Sequence, residues 1–285
     1  QIAESDAAAA ALADAGLLAP AAAALAHSRA DGAREMCAGL LASLLRDPRV
    51  AAAAMELRPT PIAALVECAA ARHKGLAEAA LGALVNASAH AGAAAEATAA
   101  GGIAVALRAV ESGMMGPVRG SQGKGALPVA EQSRAELGVA LLTRLVADAD
   151  AERAVLAAGG LQVLLGCFPP RSEAMLAGVV HLIGNLAVGD APKVAKEALP
   201  LVAGAASAVR PGSALLEPLV CALRNLCLHF VGDAPKLMGA GMGAALPAIA
   251  LALETGGGAA KEHAAILLWK LSETEAAHTK IAGLG

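Results

Sequence analysis

The chain has 285 residues, 57% of them hydrophobic, with about a quarter of all positions alanine but only two Phe, one Trp and no Tyr. Lys plus Arg numbers 22 against 25 Asp plus Glu, a balance that excludes the basic footprint of a nucleic-acid or anionic-lipid binder. Alanine is the strongest intrinsic helix former and the aromatic residues that favour strands are scarce, so the expected class is all-α.

Residues Gln1 to Pro20 lack the charged, apolar, small-residue order of a signal peptide, and without an initial Met the chain reads as a piece of something longer. Every apolar stretch is broken by Gly, Pro or a charge before the roughly 20 residues that span a bilayer, so a soluble protein is expected. Five cysteines, at 37, 68, 167, 221 and 227, form no Cys-x-x-Cys pair and sit in apolar helical contexts, the pattern of reduced thiols in a cytosolic or nuclear protein. Cys221 and Cys227, six apart on one helix, are expected in the core.

One helical segment recurs along the chain, ending near Ser43, Asn86, Arg144, Asn185, Asn225 and Lys270; these six positions form a reference column. Two residues earlier stand Leu41, Leu84, Leu142, Ile183, Leu223 and Leu268, and one residue later Leu44, Ala87, Leu145, Leu186, Leu226 and Leu271. Five residues earlier lie Ala38, Leu81, Val139, Val180, Val220 and Ala265. These spacings define one buried helical stripe per segment.

In chain order the units run 1–47, 48–91, 92–150, 151–190, 191–233 and 234–274, with a partial seventh at 275–285. The third contains Ala-Ala-Gly-Gly-Ile at Ala99 to Ile103 and then an aperiodic Gly-rich insertion, 112–130, read as a loop. In the fourth, Ala-Ala-Gly-Gly-Leu at Ala157 to Leu161 repeats the double-glycine turn, whose left-handed conformation ends one helix and redirects the chain. The fourth closes on Val-Gly-Asp-Ala-Pro-Lys at Val188 to Lys193, and the fifth closes on an identical copy at Val231 to Lys236, 43 residues later. In each copy glycine stops the long helix, aspartate caps the next and proline sits in its first turn. Each unit is thus expected to hold three helices, and units of forty-odd residues stack because none can bury its apolar face alone.

A short helix, the Ala-Gly-Gly-Ile turn, a second helix and a long third helix ending Ala-Leu-x-Asn-Leu, as at Ala222 to Leu226, together resemble the armadillo repeat over nearly the whole chain. The two-helix HEAT repeat, which lacks the double-glycine turn, is the alternative. The resemblance implies a right-handed α-solenoid whose third helices line a concave groove for extended peptides or partner proteins. It also implies that the groove asparagine bonds the ligand main chain through its paired amide donor and acceptor. That asparagine stands at Asn86, Asn185 and Asn225, and is replaced by Ser43, Arg144 and Lys270. Armadillo asparagines also bond neighbouring helices, so a purely structural role stays open. Importin-like carriers add a tryptophan four residues before it; here those places hold Gly82, His181, Cys221 and Ile266, and Trp269 lies beside the column.

Eight residues before the reference column come Glu35, Glu78, Glu136, Glu217 and Glu262, with Ala177 breaking the series. The row would favour a basic ligand segment, or it would serve the helix starts, with Ser133 and Glu136 as a capping box. Arg144, His181, Arg224, His229 and Lys270 add cationic character, and Met114 and Met115 open the inserted segment.

Nucleotide-loop, zinc-protease and serine-hydrolase motifs are missing, and Gly120 to Gly125 lacks both the strand and the Ser/Thr of a phosphate loop. The expectation is a non-enzymatic protein-binding scaffold or assembly subunit, without cofactor, metal, nucleic acid, membrane or small-molecule substrate. It would be cytoplasmic, by analogy cytoskeletal or ciliary, with the nucleus open. A transport or chaperone-type peptide adaptor is the alternative, and a HEAT-like enzyme or nucleic-acid reader a further one.

Overall fold

The computed structural model describes residues 11–115, 134–170, 172–189, 191–227, 241–272, 278 and 281–282. Among the described residues there is no strand, and no single helix is long and apolar enough to cross a membrane. The chain divides into two compact units, Gln1–Ala147 and Asp148–Gly285, and the division falls between repeats.

In the first unit, α1 (Leu18–His27) and α2 (Asp31–Leu44) are the second and third helices of repeat one. Repeat two comprises α3 (Pro48–Glu56), α4 (Pro61–Ala69) and α5 (Lys74–Ala87); repeat three comprises α6 (Ala91–Ala99), α7 (Gly102–Met115) and α8 (Arg134–Leu145). In the second unit, α9 (Ala149–Ala157), α10 (Gly160–Leu165) and α11 (Glu173–Gly189) form repeat four. Repeat five holds α12 (Ala191–Ala205) and α13 (Leu216–Cys227), and repeat six holds α14 (Leu246–Thr255) and α15 (Gly258–Leu271).

The punctuation is local chemistry. Asp47 caps α3 by accepting the Arg49 N–H at 2.8 Å, with Pro48 in the first turn where its missing donor is not needed. Gly101 and Gly159 stand at φ 89° and 75°, the left-handed region a side chain resists, and so turn the first helix of repeats three and four into the second. Gly16 and Gly241 hold positive φ at the corresponding turns of repeats one and six.

The structure corrects two expectations. Residues 112–115 are not the start of a loop but the last turn of α7. Gly113 is a packing residue there, because a Cβ on it would lie 2.5 Å from the Ala135 backbone nitrogen of α8; the remainder of the 112–130 insertion lies outside the described residues. Repeat five does not separate its first two helices, since 191–205 has no double glycine and runs as α12 with Pro200 inside, closing on a 3-10 turn at Ala206–Ala208. The first helices of repeats three and four begin at Ala91 and Ala149. The second hexapeptide copy, Ser133 and His229 are outside the described residues.

Within each unit the third helices pack side by side: α2 on α5 and α5 on α8 in the first, α11 on α13 and α13 on α15 in the second. The three apolar columns form the core between them. Leu41, Leu84, Leu142, Ile183 and Leu223 are all 0% exposed, and the column one residue after the reference stays at 3% or below. Repeat six departs, with Leu268 half-buried and Ala265 exposed. No further third helix packs on α15 among the described residues, so these positions have nothing to pack against.

Candidate functional site

The surface that repeats is the outward side of the third helices, carrying the reference column and the positions four and eight residues before it. A helix advances 1.5 Å per residue, so each helix presents its acidic start and its polar or cationic end about 12 Å apart. Adjacent helices place like positions next to one another.

Asn86 is half-buried, and its Nδ2 donates to the Ala42 carbonyl of α2 at 2.7 Å. Ala42 lies in the last turn of α2, where carbonyls lack intrahelical partners; the Arg46 N–H goes instead to Ser43 O. Asn86 therefore completes the end of the preceding third helix. Its Oδ1 has no partner among the described residues and remains an open acceptor.

Asn225 repeats this bond in the second unit, donating from Nδ2 to the Gly184 carbonyl of α11 at 3.0 Å. Only 4% of Asn225 is exposed, and its Oδ1 accepts from Arg224 Nε at 3.0 Å and Nη2 at 2.7 Å. Asn225 takes the structural role left open for this column, with Nδ2 on Gly184 O and Oδ1 on Arg224, and the half-buried Arg224 is the charged group beside it. Gly184 is what allows this approach, since a Cβ there would lie 2.9 Å from Ala222 Cα and Cβ on α13.

Asn185 behaves differently, with its Nδ2 3.3 Å from Nε2 of His181 one turn earlier on α11. Burial pushes the His181 imidazole below its usual range, which favours the neutral ring at neutral pH. Arg144 is exposed at the end of α8. The Lys270 ammonium lies 4.6 Å from the centroid of the Trp269 ring, a cation–π arrangement, and Trp269 is 62% exposed.

The glutamate row splits. Glu136 and Glu217 lie in the first turns of α8 and α13, where the helix dipole favours a negative charge. Glu35, Glu78 and Glu262 lie a turn further in, at the fifth residue of α2, α5 and α15. Glu35 Oε2 is 3.4 Å from His73 Nδ1, and Glu78 Oε1 is 3.7 Å from Lys74 Nζ. Glu217 and Glu262 are exposed and make no ion pair among the described residues.

Cys227 faces the core at 3% exposure, but Cys221 is half-buried on the outward side, a correction to the placement of both in the core. No group of three or more His, Cys, Asp or Glu with metal-binding geometry occurs among the described residues. Sequence reasoning named Arg224 only as one of several cationic residues and missed Ala42 and Gly184, which stand just before the reference column and supply the accepting carbonyls. The small residues at Ala42 and Gly184 were the available signal, because only a small side chain lets the next third helix come close.

No protein-family model and no curated protein matches the sequence. The fold does match solved structures. An engineered protein aligns with a TM-score of 0.73 at 17% identity, covering 100% of this chain and 65% of its own length. A designed armadillo repeat protein aligns at 0.69 and 16% identity, covering 89% of this chain and 99% of its own. Another, solved in complex with the peptide (KR)4, aligns at 0.64 and 15% identity, covering 89% and 99%. The chain has an all-α armadillo-repeat fold.

Proposed function

We propose that this armadillo-repeat chain is a non-enzymatic binding scaffold that holds an extended polypeptide segment across its third helices. The observation that carries the reading is recurrence. On adjacent third helices, unburied polar groups return at or beside one column: Asn86 Oδ1 in the first unit, and Asn185, Arg224 and Lys270 in the second. An extended chain offers N–H and C=O groups at regular intervals, and a row of donors and acceptors is the surface that would meet them. The designed armadillo protein seen with (KR)4 supports the reading by analogy of fold. In the same reading the scaffold is a subunit of a larger cytoplasmic assembly, cytoskeletal or ciliary among the settings, as its low charge and alanine-rich surface suggest.

The test is selection of binders from a random-sequence peptide library, followed by hydrogen exchange of the complex. Protection is expected on α5 and α8 or on α11, α13 and α15, with α3, α4 and α9 unchanged. Protection confined to first and second helices would overturn the proposal.

A further inference from the structure

We infer that the guanidinium of Arg224, held in place by Asn225, is the receptor for a carboxylate of an acidic polypeptide segment lying across the third helices of the second unit. The inference rests on the binding reading above and names the chemistry of its ligand.

Three observations converge on Arg224. Its orientation is fixed, since Asn225 Oδ1 takes hydrogen bonds from both Nε and Nη2, while Asn225 is itself buried and pinned to Gly184 O of α11. Of five guanidinium N–H groups, two are used and three remain to donate. A guanidinium set in advance loses little freedom on gripping a carboxylate, and the planar fork suits that anion.

Arg224 also has no direct ion-pair partner among the described residues. Arg34 pairs with Glu67 at 2.8 Å, Arg49 with Asp47 at 2.6 Å, and Arg153 with Asp150. Arg224 is half-buried, its hydrogen-bond acceptor is a neutral amide, and no carboxylate lies within ion-pair distance among the described residues. Glu217 sits seven residues earlier on the same helix, about 10 Å along its axis, and is exposed.

The third observation is the neighbour across the α13–α15 gap. His263 of α15 is close enough to Arg224 that the guanidinium, after burial, helps to hold its imidazole below the usual range, against the opposing pull of Glu262 and Glu217. Its Nδ1 is buried and has no hydrogen-bond partner among the described residues. His263 is thus a half-buried imidazole beside Arg224 that adds no second positive charge at neutral pH. The surface continues on α11 with His181 and Asn185 and on α15 with the exposed Trp269.

The experiment measures fluorescence anisotropy of the full chain with a labelled peptide of alternating Glu and Ala, its Lys/Ala counterpart, and inorganic phosphate as competitor. The acidic peptide is expected to bind more tightly than the basic one, and R224Q to weaken it ~10-fold or more, as loss of a charged hydrogen-bonded partner does. R224K, which keeps the charge but not the fork, is expected to fall between and covers the case in which R224Q misfolds. Equal affinity of R224Q and the parent, preference for the basic peptide, binding of neither peptide, or displacement by phosphate at equimolar concentration would each overturn the inference. If library-selected peptides still protect the third helices while the acidic probe fails, the ligand class is wrong and the scaffold reading stands. If no peptide of any composition binds, the scaffold reading itself falls.

Discussion

A Leu223→Ala protein is expected to lose about 2–5 kcal/mol of stability, the range for emptying a fully buried leucine site in a packed core. Leu223 is 0% exposed on α13, which is flanked by the third helices α11 and α15. Neither neighbour can close the cavity without loosening its contacts on the other side. The same substitution at Leu268, two residues before the same column in repeat six, is expected to cost distinctly less, because Leu268 is only half-buried. Urea denaturation followed by far-ultraviolet circular dichroism measures both. Equal losses would mean that the column does not mark the packed interior.

Gly184→Val tests the close approach of α11 and α13. The first added carbon alone would stand 2.9 Å from Ala222 Cα and Cβ, so the backbones must separate, and overpacking of this kind costs about 1–3 kcal/mol. Separation also stretches the Asn225 Nδ2 bond to Gly184 O, now 3.0 Å, which adds about 1 kcal/mol. Gly39→Ala is the control. A Cβ on Gly39 meets nothing within 4 Å, and an alanine inside α2 is expected to stabilise it by about 0.5–1 kcal/mol. Equal melting shifts of the same sign for the two variants would contradict the proximity of α11 and α13.

These contrasts show which parts of the fold were legible in the residues. The leucine columns were, because a helix face that must be buried repeats with the helix period whatever packs against it. The double-glycine turns at 101 and 159 were, because left-handed backbone selects glycine almost regardless of context. The merged α12 was not: its boundary depends on the absence of a stop, and Pro200 there sits inside a helix rather than ending one. Nor could Gly113 be told from a loop glycine, since it is explained only by Ala135 on another helix.

The candidate site was less legible than the fold. Asn86, Asn185 and Asn225 occupy one column, yet the first bonds Ala42 O, the second contacts His181 and the third holds Arg224 while bonding Gly184 O. The partner of a side-chain amide is set by how near the adjacent helix comes, and that distance is written in small residues of a different repeat. Arg224 looked like one more solvated charge because the residue that fixes it lies at the neighbouring position, where helical geometry gives no expectation of contact.

The third helices have an inner side and an outer side set by the reference column, and α13 carries a cysteine on each. Cys227 is 3% exposed and burial pushes its thiol up to about 12, whereas Cys221 is half-buried on the outer side. The thiolate is the reacting species and burial raises both thiols, so exposure is the contrast between them. Alkylation of the native chain, read by mass spectrometry of its peptides, is predicted to modify Cys221 while Cys227 stays protected until the protein unfolds. Labelling of Cys227 as fast as Cys221 under native conditions would contradict the account.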